Sequence, residues 1–525
     1  MAASDAAACR SLHPGPPEAP RRPPVAIDLN LCDDFPPVVR KPFDRDLALL
    51  LAIAALKLVF HLLTNTQYGF HRDELATLAD ARHLDWGFVA YPPLTPFLGR
   101  VSLTLFGTSL TGFRFFAALA QSVVLVLAGL LARRFGGGRA AMLIAAFAAA
   151  LAPISLGASS LMQYVSFDSL LFVLMAYFVV RLVDSGDSRW WVPIGAAIGL
   201  GVMTKYTVAF FVAGLVAGVL ATPLRTHLRS KWLWIGAALS ILIALPNLLW
   251  QVRHDFITLD FLKHIHARDV RIGRTSHFFA DQFLTSANLF TAPLWLFGLY
   301  AVAQSRKYRV LLWMTLVPLA LFVIAHGRGY YTGPLFPILF AAGAAALPQR
   351  RPVYALATAL LLLSTSAALA VLPLAPINSP LFRFAARHNG DLVEEIGWPE
   401  LTQEVARIWN TLPPAERAHT GIFCANYGEA GAIDLYGPQY GLPPAISSVN
   451  SFWLRGPGDP KSTLIVLGDS REGLEPYFAS VQLVGHTPNP WHLENEETRD
   501  HPDIYLCRGP RQSLAGLWPR LRSFG

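Results

Sequence analysis

The chain has 525 residues, 53% of them hydrophobic and 15% charged, with a mean hydropathy of +0.39. An average soluble domain carries roughly 25% charged residues, so this deficit excludes an ordinary soluble protein and points to an integral membrane protein. The net charge of +8 resides in short basic clusters between apolar runs, a pattern of membrane topology rather than of a nucleic-acid surface.

Residues 1–44 are rich in Pro and Ala, lack the apolar core of a signal peptide, and are expected to form a disordered cytoplasmic tail holding Cys9 and Cys32. Apolar runs follow near 46–63, 113–132, 140–157, 165–183, 190–203, 206–222, 232–250, 286–303, 309–325, 331–348 and 353–373. Several are short against the roughly 20 residues a span needs, and together they predict about eleven transmembrane helices. With the N-terminus in the cytoplasm, the inside loops collect Arg133, Arg134, Arg139, Arg181, Arg189, Arg225, Arg229, Lys231, Arg306, Lys307, Arg309, Arg350 and Arg351. The short outside turns hold only Lys205 and Arg328, as the positive-inside rule expects, and everything after Pro373 falls outside.

This topology gathers the remaining polar residues on the outer face. Arg72, Asp73 and Glu74 lie in a first outside loop, about 64–112, and Asp168 sits at the outer mouth of the fourth span. Lys205 and Tyr206 occupy the outer turn TKYT. A second outside loop, about 251–285, carries Arg253, His254, Asp255, Lys263, His264, His266, Arg268, Arg271 and Arg274, and GRGYYTGP adds Arg328, Tyr330 and Tyr331. After residue 380, WPELTQEVARIW has helical periodicity, and TGIFCANY, STLIVLGD, SVQLVGH and DIYLCRG read as short buried strands. The domains expected are thus a 45–375 membrane domain and a 380–525 extracytoplasmic α/β domain. Cys424 and Cys507 fall on two of those strands, as a disulfide or as two buried thiols.

The residue types narrow the chemistry. On a helix, Asp73 and Glu74 diverge by about 100°, so one can face a reaction centre while the other fixes a neighbour. A partly desolvated carboxylate serves as a general base; the structural alternative is that both acids solvate the loop. Arg72, Lys205, Arg253, Arg268 and Arg328 suit a phosphate or anionic lipid headgroups, and Tyr206, Tyr330 and Tyr331 suit a sugar face or an interfacial belt. Gly136-Gly137-Gly138 follows no strand, and His264 and His266 lack a clear third ligand, so neither a nucleotide loop nor a metal site is expected. No cofactor is predicted, and a divalent metal is left open.

Three stretches resemble glycosyltransferase family 39, the group of protein O-mannosyltransferases and bacterial lipid A aminoarabinose transferases. They are YGFHRDELATLADARHLDWGFVAYPPL (68–94), GLGVMTKYT (199–207) with FDSLLF (167–172) upstream, and NYGEAGAIDLYGP (426–438) followed by YGLPPAISSVNSFWLRGP (440–457). The resemblance implies a GT-C type fold in a bacterial inner membrane, a polyprenyl-phosphate-linked sugar as donor, and an acceptor hydroxyl on protein, lipid A or polysaccharide. It implies Asp73 as the base, with inversion at the sugar, Glu74 as the companion ordering the loop, and Asp168 as a second outer acid. Lys205, Arg328 and Tyr331 would line the lipid-phosphate and sugar pocket. Many relatives carry an acidic residue and His before the Pro-Pro pair, where this chain has Ala90-Tyr91. A lipid-linked sugar transporter without transferase activity is the competing class, and it would place polar groups near the bilayer midplane.

Overall fold

The computed structural model describes residues 44–525; the expected tail, with Cys9 and Cys32, lies outside them. The membrane part begins with α1 (Asp44–Thr64), then α2 (Arg72–Arg82) and α3 (Leu94–Phe106) in the segment expected to form the first outside loop, and α4 (Leu110–Arg134). It continues through α5 (Arg139–Ala150), α6 (Pro153–Ser160), α7 (Tyr164–Ser185), α8 (Trp191–Val202), α9 (Val208–Ala221), α10 (Lys231–Arg253) and α11 (Ile257–Arg271). Apolar helices Ala292–Gln304, Arg309–Ile324, Phe336–Ala346 and Arg351–Ser364 complete it.

Among the described residues, five helices are long and apolar enough to cross a membrane alone, or up to eight if each of three bent pairs counts as one span. The bends are sharp: 59° between α5 and α6, and 99° between α9 and Pro223–Arg229. Prolines at the first position of α6 and of Pro223–Arg229 account for the new starts, since proline lacks the N–H that would continue the preceding helix. Burial separates centre from rim. In α4, 72% of the apolar window is buried, whereas in Arg351–Val371 only 6% is, which leaves that helix to lipid.

The C-terminal part contains a five-stranded sheet, ordered β2-β1-β3-β5-β4, built from β1 (Thr420–Cys424), β2 (Ala445–Ile446), β3 (Thr463–Leu467), β4 (Phe478–His486) and β5 (Asp503–Pro510). β1 pairs in parallel with β2 and β3, and β5 runs antiparallel to β3 and β4. Ile422 aligns with Ile465, and Ile465 with Leu506, so apolar side chains cross the sheet in register. Cys424 and Cys507 are buried free thiols, on strands separated by β3.

The boundary expected near 375–380 does not divide two cores. Leu75 and Leu78 of α2, Phe113 of α4, and Trp398, Val405, Ile433 and Ile465 of the C-terminal part belong to one buried cluster. Helix Tyr427–Tyr436 lies against α2 so closely that a Cβ on Gly431 would stand 2.7 Å from Leu75 Cβ. Arg82 donates to the Asp434 carbonyl at 2.9 Å, and Arg455 pairs with Asp80 at 2.7 Å. α2 is thereby clamped from above by the C-terminal domain and from below by the bundle.

Candidate active site

α2 starts with a capping box. The His71 side chain accepts from the Asp73 N–H, and the Glu74 carboxylate accepts from the His71 N–H at 3.0 Å. Acids in a first helical turn also complement the helix dipole, so the pair has a local reason to be there. Their side chains then part. Glu74 is fully buried, taking three hydrogen bonds from Arg114 and one from the Met162 N–H. Arg114 also reaches the Asn65 and Gly69 carbonyls and Glu395. The Glu395 carboxyl is pushed up to about 7, chiefly by burial, with Arg114 opposing.

Asp73 turns the other way, into a cavity of about 680 Å³, with 46% of its side chain exposed. Its Oδ1 accepts from the Tyr427 hydroxyl at 2.8 Å and its Oδ2 from Gln163 at 3.0 Å. Burial raises its affinity for a proton, but His71, Arg72, the Tyr427 hydrogen bond and Arg328 outweigh it and hold the carboxyl below its ordinary value. Tyr427 is driven up by burial and by Asp73, so it stays protonated and keeps donating.

The cationic side of the same cavity comes from three elements. Lys205, in the turn between α8 and α9, points its ammonium between the rings of Tyr164 at 3.8 Å and Tyr331 at 3.9 Å, with Tyr330 at 5.8 Å. That ammonium is buried without a hydrogen-bond partner among the described residues. Burial pushes it well down, with Asp168 opposing. Arg328 bonds Asp269 at 2.6 Å, and Arg268 and Arg274 lie 3.8 and 3.9 Å from the same carboxylate. Three guanidinium groups thus share one acid.

The expected site residues therefore divide. Arg72, Asp73, Lys205, Tyr206, Arg268, Arg328, Tyr330 and Tyr331 line one cavity. Glu74 lies behind its wall, where its filled hydrogen bonds leave it to order the loop rather than to react. Asp168 is buried beside the cavity and reaches it only through its charge on Lys205. Arg253 is exposed at the end of α10 and does not line the cavity, which takes its lining instead from α11 beyond the left-handed Asp255-Phe256 pair. Arg72 lines it, but its charge is committed to Glu496 and to the Tyr427 hydroxyl. The Tyr206 hydroxyl is likewise engaged, by Asn247 and Gln251. Tyr427, Gln163, Tyr164 and Asp269 escaped the sequence reading. Tyr427 stood inside the NYGEAG stretch that carries the resemblance, but nothing local marked it as a partner for a residue 354 positions away.

With this geometry in place, comparison with known proteins is informative. Residues 90–250 match the family model described as dolichyl-phosphate-mannose-protein mannosyltransferase. Over 258 residues the chain is 26% identical to the lipid A galacturonosyltransferase RgtD of Rhizobium johnstonii, an alignment covering 47% of this chain and 53% of that protein. The chain thus spans about half the length of this curated relative. The crystal structure of ArnT from Cupriavidus metallidurans bound to undecaprenyl phosphate superposes with a TM-score of 0.55 at 17% identity, covering 87% of this chain and 97% of ArnT. The chain has the fold of ArnT. The apo form of ArnT superposes over the same shares with a TM-score of 0.51 at 16% identity. The family model and the curated relative are both named as glycosyltransferases, and the described residues hold five to eight helices or bent pairs able to cross a membrane.

Proposed function

We propose that the protein transfers a sugar from a polyprenyl-phosphate donor to an acceptor hydroxyl on the extracytoplasmic face of a bacterial inner membrane. The observation that carries this reading is the single cavity walled by the Asp73 carboxylate on one side and by Lys205, Arg268, Arg274 and Arg328 on the other. The lipid phosphate seats against Lys205 and Arg328, where an anion supplies the partner the buried ammonium lacks. Tyr330 and Tyr331 offer faces for the sugar. Asp73, ionised at neutral pH and aimed by Tyr427 and Gln163, takes the proton from the acceptor hydroxyl as that oxygen bonds the anomeric carbon. The bond from that carbon to the phosphate breaks on the opposite face, the leaving phosphate keeps the electron pair, and the cations stabilise it, so the sugar inverts.

The same reading gives the molecule its sides. The eleven expected apolar runs fall largely in helices, and the positive-inside pattern of the basic loops supports an outer position for Asp73, Lys205 and Arg328. The name of RgtD makes lipid A a plausible acceptor class. Purified protein in liposomes, supplied with radiolabelled polyprenyl-phosphate sugar and extracted lipid A, should form labelled product. Failure with every acceptor pool from the envelope would reject the transferase reading.

A further inference from the structure

Behind Arg72 and Tyr427 lies a second cavity, of about 300 Å³, walled chiefly by the C-terminal domain. It shares Arg72, Tyr427, Glu496 and Gly525 with the first cavity, but Asp73, Lys205 and Arg328 are not among its walls. Glu429, Glu496, Glu497 and Asp500 line it, and Arg72 is the one Arg or Lys among the described residues that do. Arg72 is already paired with Glu496.

Two of these acids carry buried carboxyl oxygens without a hydrogen-bond partner. Glu497 is 4% exposed, and neither carboxylate oxygen is bonded by another residue; Glu429 is 1% exposed, and its Oε2 has no partner. Burying a carboxylate without donors is expensive, and most buried polar groups avoid it. Burial, with Glu394 adding to it, pushes Glu497 up to about 7, and burial together with Glu497 pushes Glu429 well up. The backbone makes room for the arrangement. Gly468 has a φ of +75°, and a Cβ there would stand 2.6 Å from Glu429 Oε2, so only glycine lets the acid sit at this wall.

Unpartnered acceptor oxygens around a cavity ask for a multivalent donor. Among the described residues no three Asp, Glu, His or Cys groups converge as metal ligands, which argues against a divalent ion. A guanidinium or ammonium group carries several N–H donors for these acceptors, and its positive charge favours the ionised form of the two raised carboxyls, so binding releases their protons. We propose that this chamber binds the guanidinium or ammonium head group of an organic cation on Glu429 and Glu497. The proposal does not rest on the glycosyl-transfer reading.

The test is calorimetric titration of the full chain in detergent with methylguanidinium, methylammonium, calcium, and neutral methylurea as a control of shape. At least one organic cation should bind while methylurea does not. E497Q and E429Q should each weaken that binding by about tenfold or more, the scale of a hydrogen bond to a charged group, and E475Q at an exposed acid should leave it unchanged. Because each variant replaces a buried carboxyl with unbonded oxygens by an amide of the same shape, the ligand-free Tm should hold or rise. Binding of calcium alone, equal binding of methylurea, unchanged affinity in both variants, or a lowered ligand-free Tm in both would overturn the proposal; the last outcome would make the acids structural.

Discussion

Two charged regions meet at the start of α2, and they differ in how completely their charges are answered. Around Glu74 the charges answer one another: Arg114 spreads its donors over Glu74, Glu395 and two backbone carbonyls, and the three charged side chains are buried. Around the cavity the accounts stay open. Lys205 has no hydrogen-bond partner among the described residues, three arginines share Asp269, and Asp73 remains half exposed with donors aiming it. The closed node does architecture. The open one is left ready for an anion and a proton, and charges held unsatisfied in a cleft are the usual physical mark of a site.

Breaking the open side at its base should have the largest effect. Asp73→Asn should lower the rate of sugar transfer by about 10²- to 10⁴-fold, the range general-base catalysis supplies, while the melting temperature stays near the parental value. Breaking the closed side should do the reverse. Glu74→Ala leaves Arg114 buried without its main partner and should cost about 3–5 kcal/mol of stability, read as a lowered Tm or a loss of folded protein in detergent.

Smaller changes sharpen the contrast. Lys205→Met should weaken binding of undecaprenyl phosphate by about tenfold or more, in a direct binding assay, with the fold intact. Tyr427→Phe removes a donor that helps hold the Asp73 carboxyl below its ordinary value. In the proposed mechanism the ionised form is the active one, so activity should fall as pH drops through that depressed value. In the variant the value rises, and the acid limb of the kcat/KM profile should move to higher pH. The move should stay under about one pH unit, because Asp73 is open to solvent. Arg253→Ala, outside the cavity, should leave transfer and Tm unchanged to within about 0.5 kcal/mol.

Much of this contrast was legible in the sequence, and its limits have physical causes. The apolar runs read as helices because they are local signals, whereas the eleven spans expected from them reduce to five helices, or up to eight with bent pairs, able to cross a membrane among the described residues. The divergence of Asp73 from Glu74 follows from helix geometry alone. What could not be read was partnership across distance. Arg114 looks like an ordinary residue at the start of an apolar helix, yet it is fully buried and holds the loop. Tyr427 belongs to the sheet domain and reaches Asp73 only because Gly431 lets its helix settle onto α2. Arg253 shows the opposite error. Counting cations along an outside loop cannot tell that Arg253, at the end of α10, stays outside the cavity while Arg268 of α11 lines it.

A structure of the full chain with undecaprenyl phosphate would test the central claim most directly. The account predicts phosphate density against Lys205 and Arg328, in the cavity that Asp73 faces. Phosphate seated elsewhere, with the Lys205 ammonium still alone among its tyrosines, would contradict it.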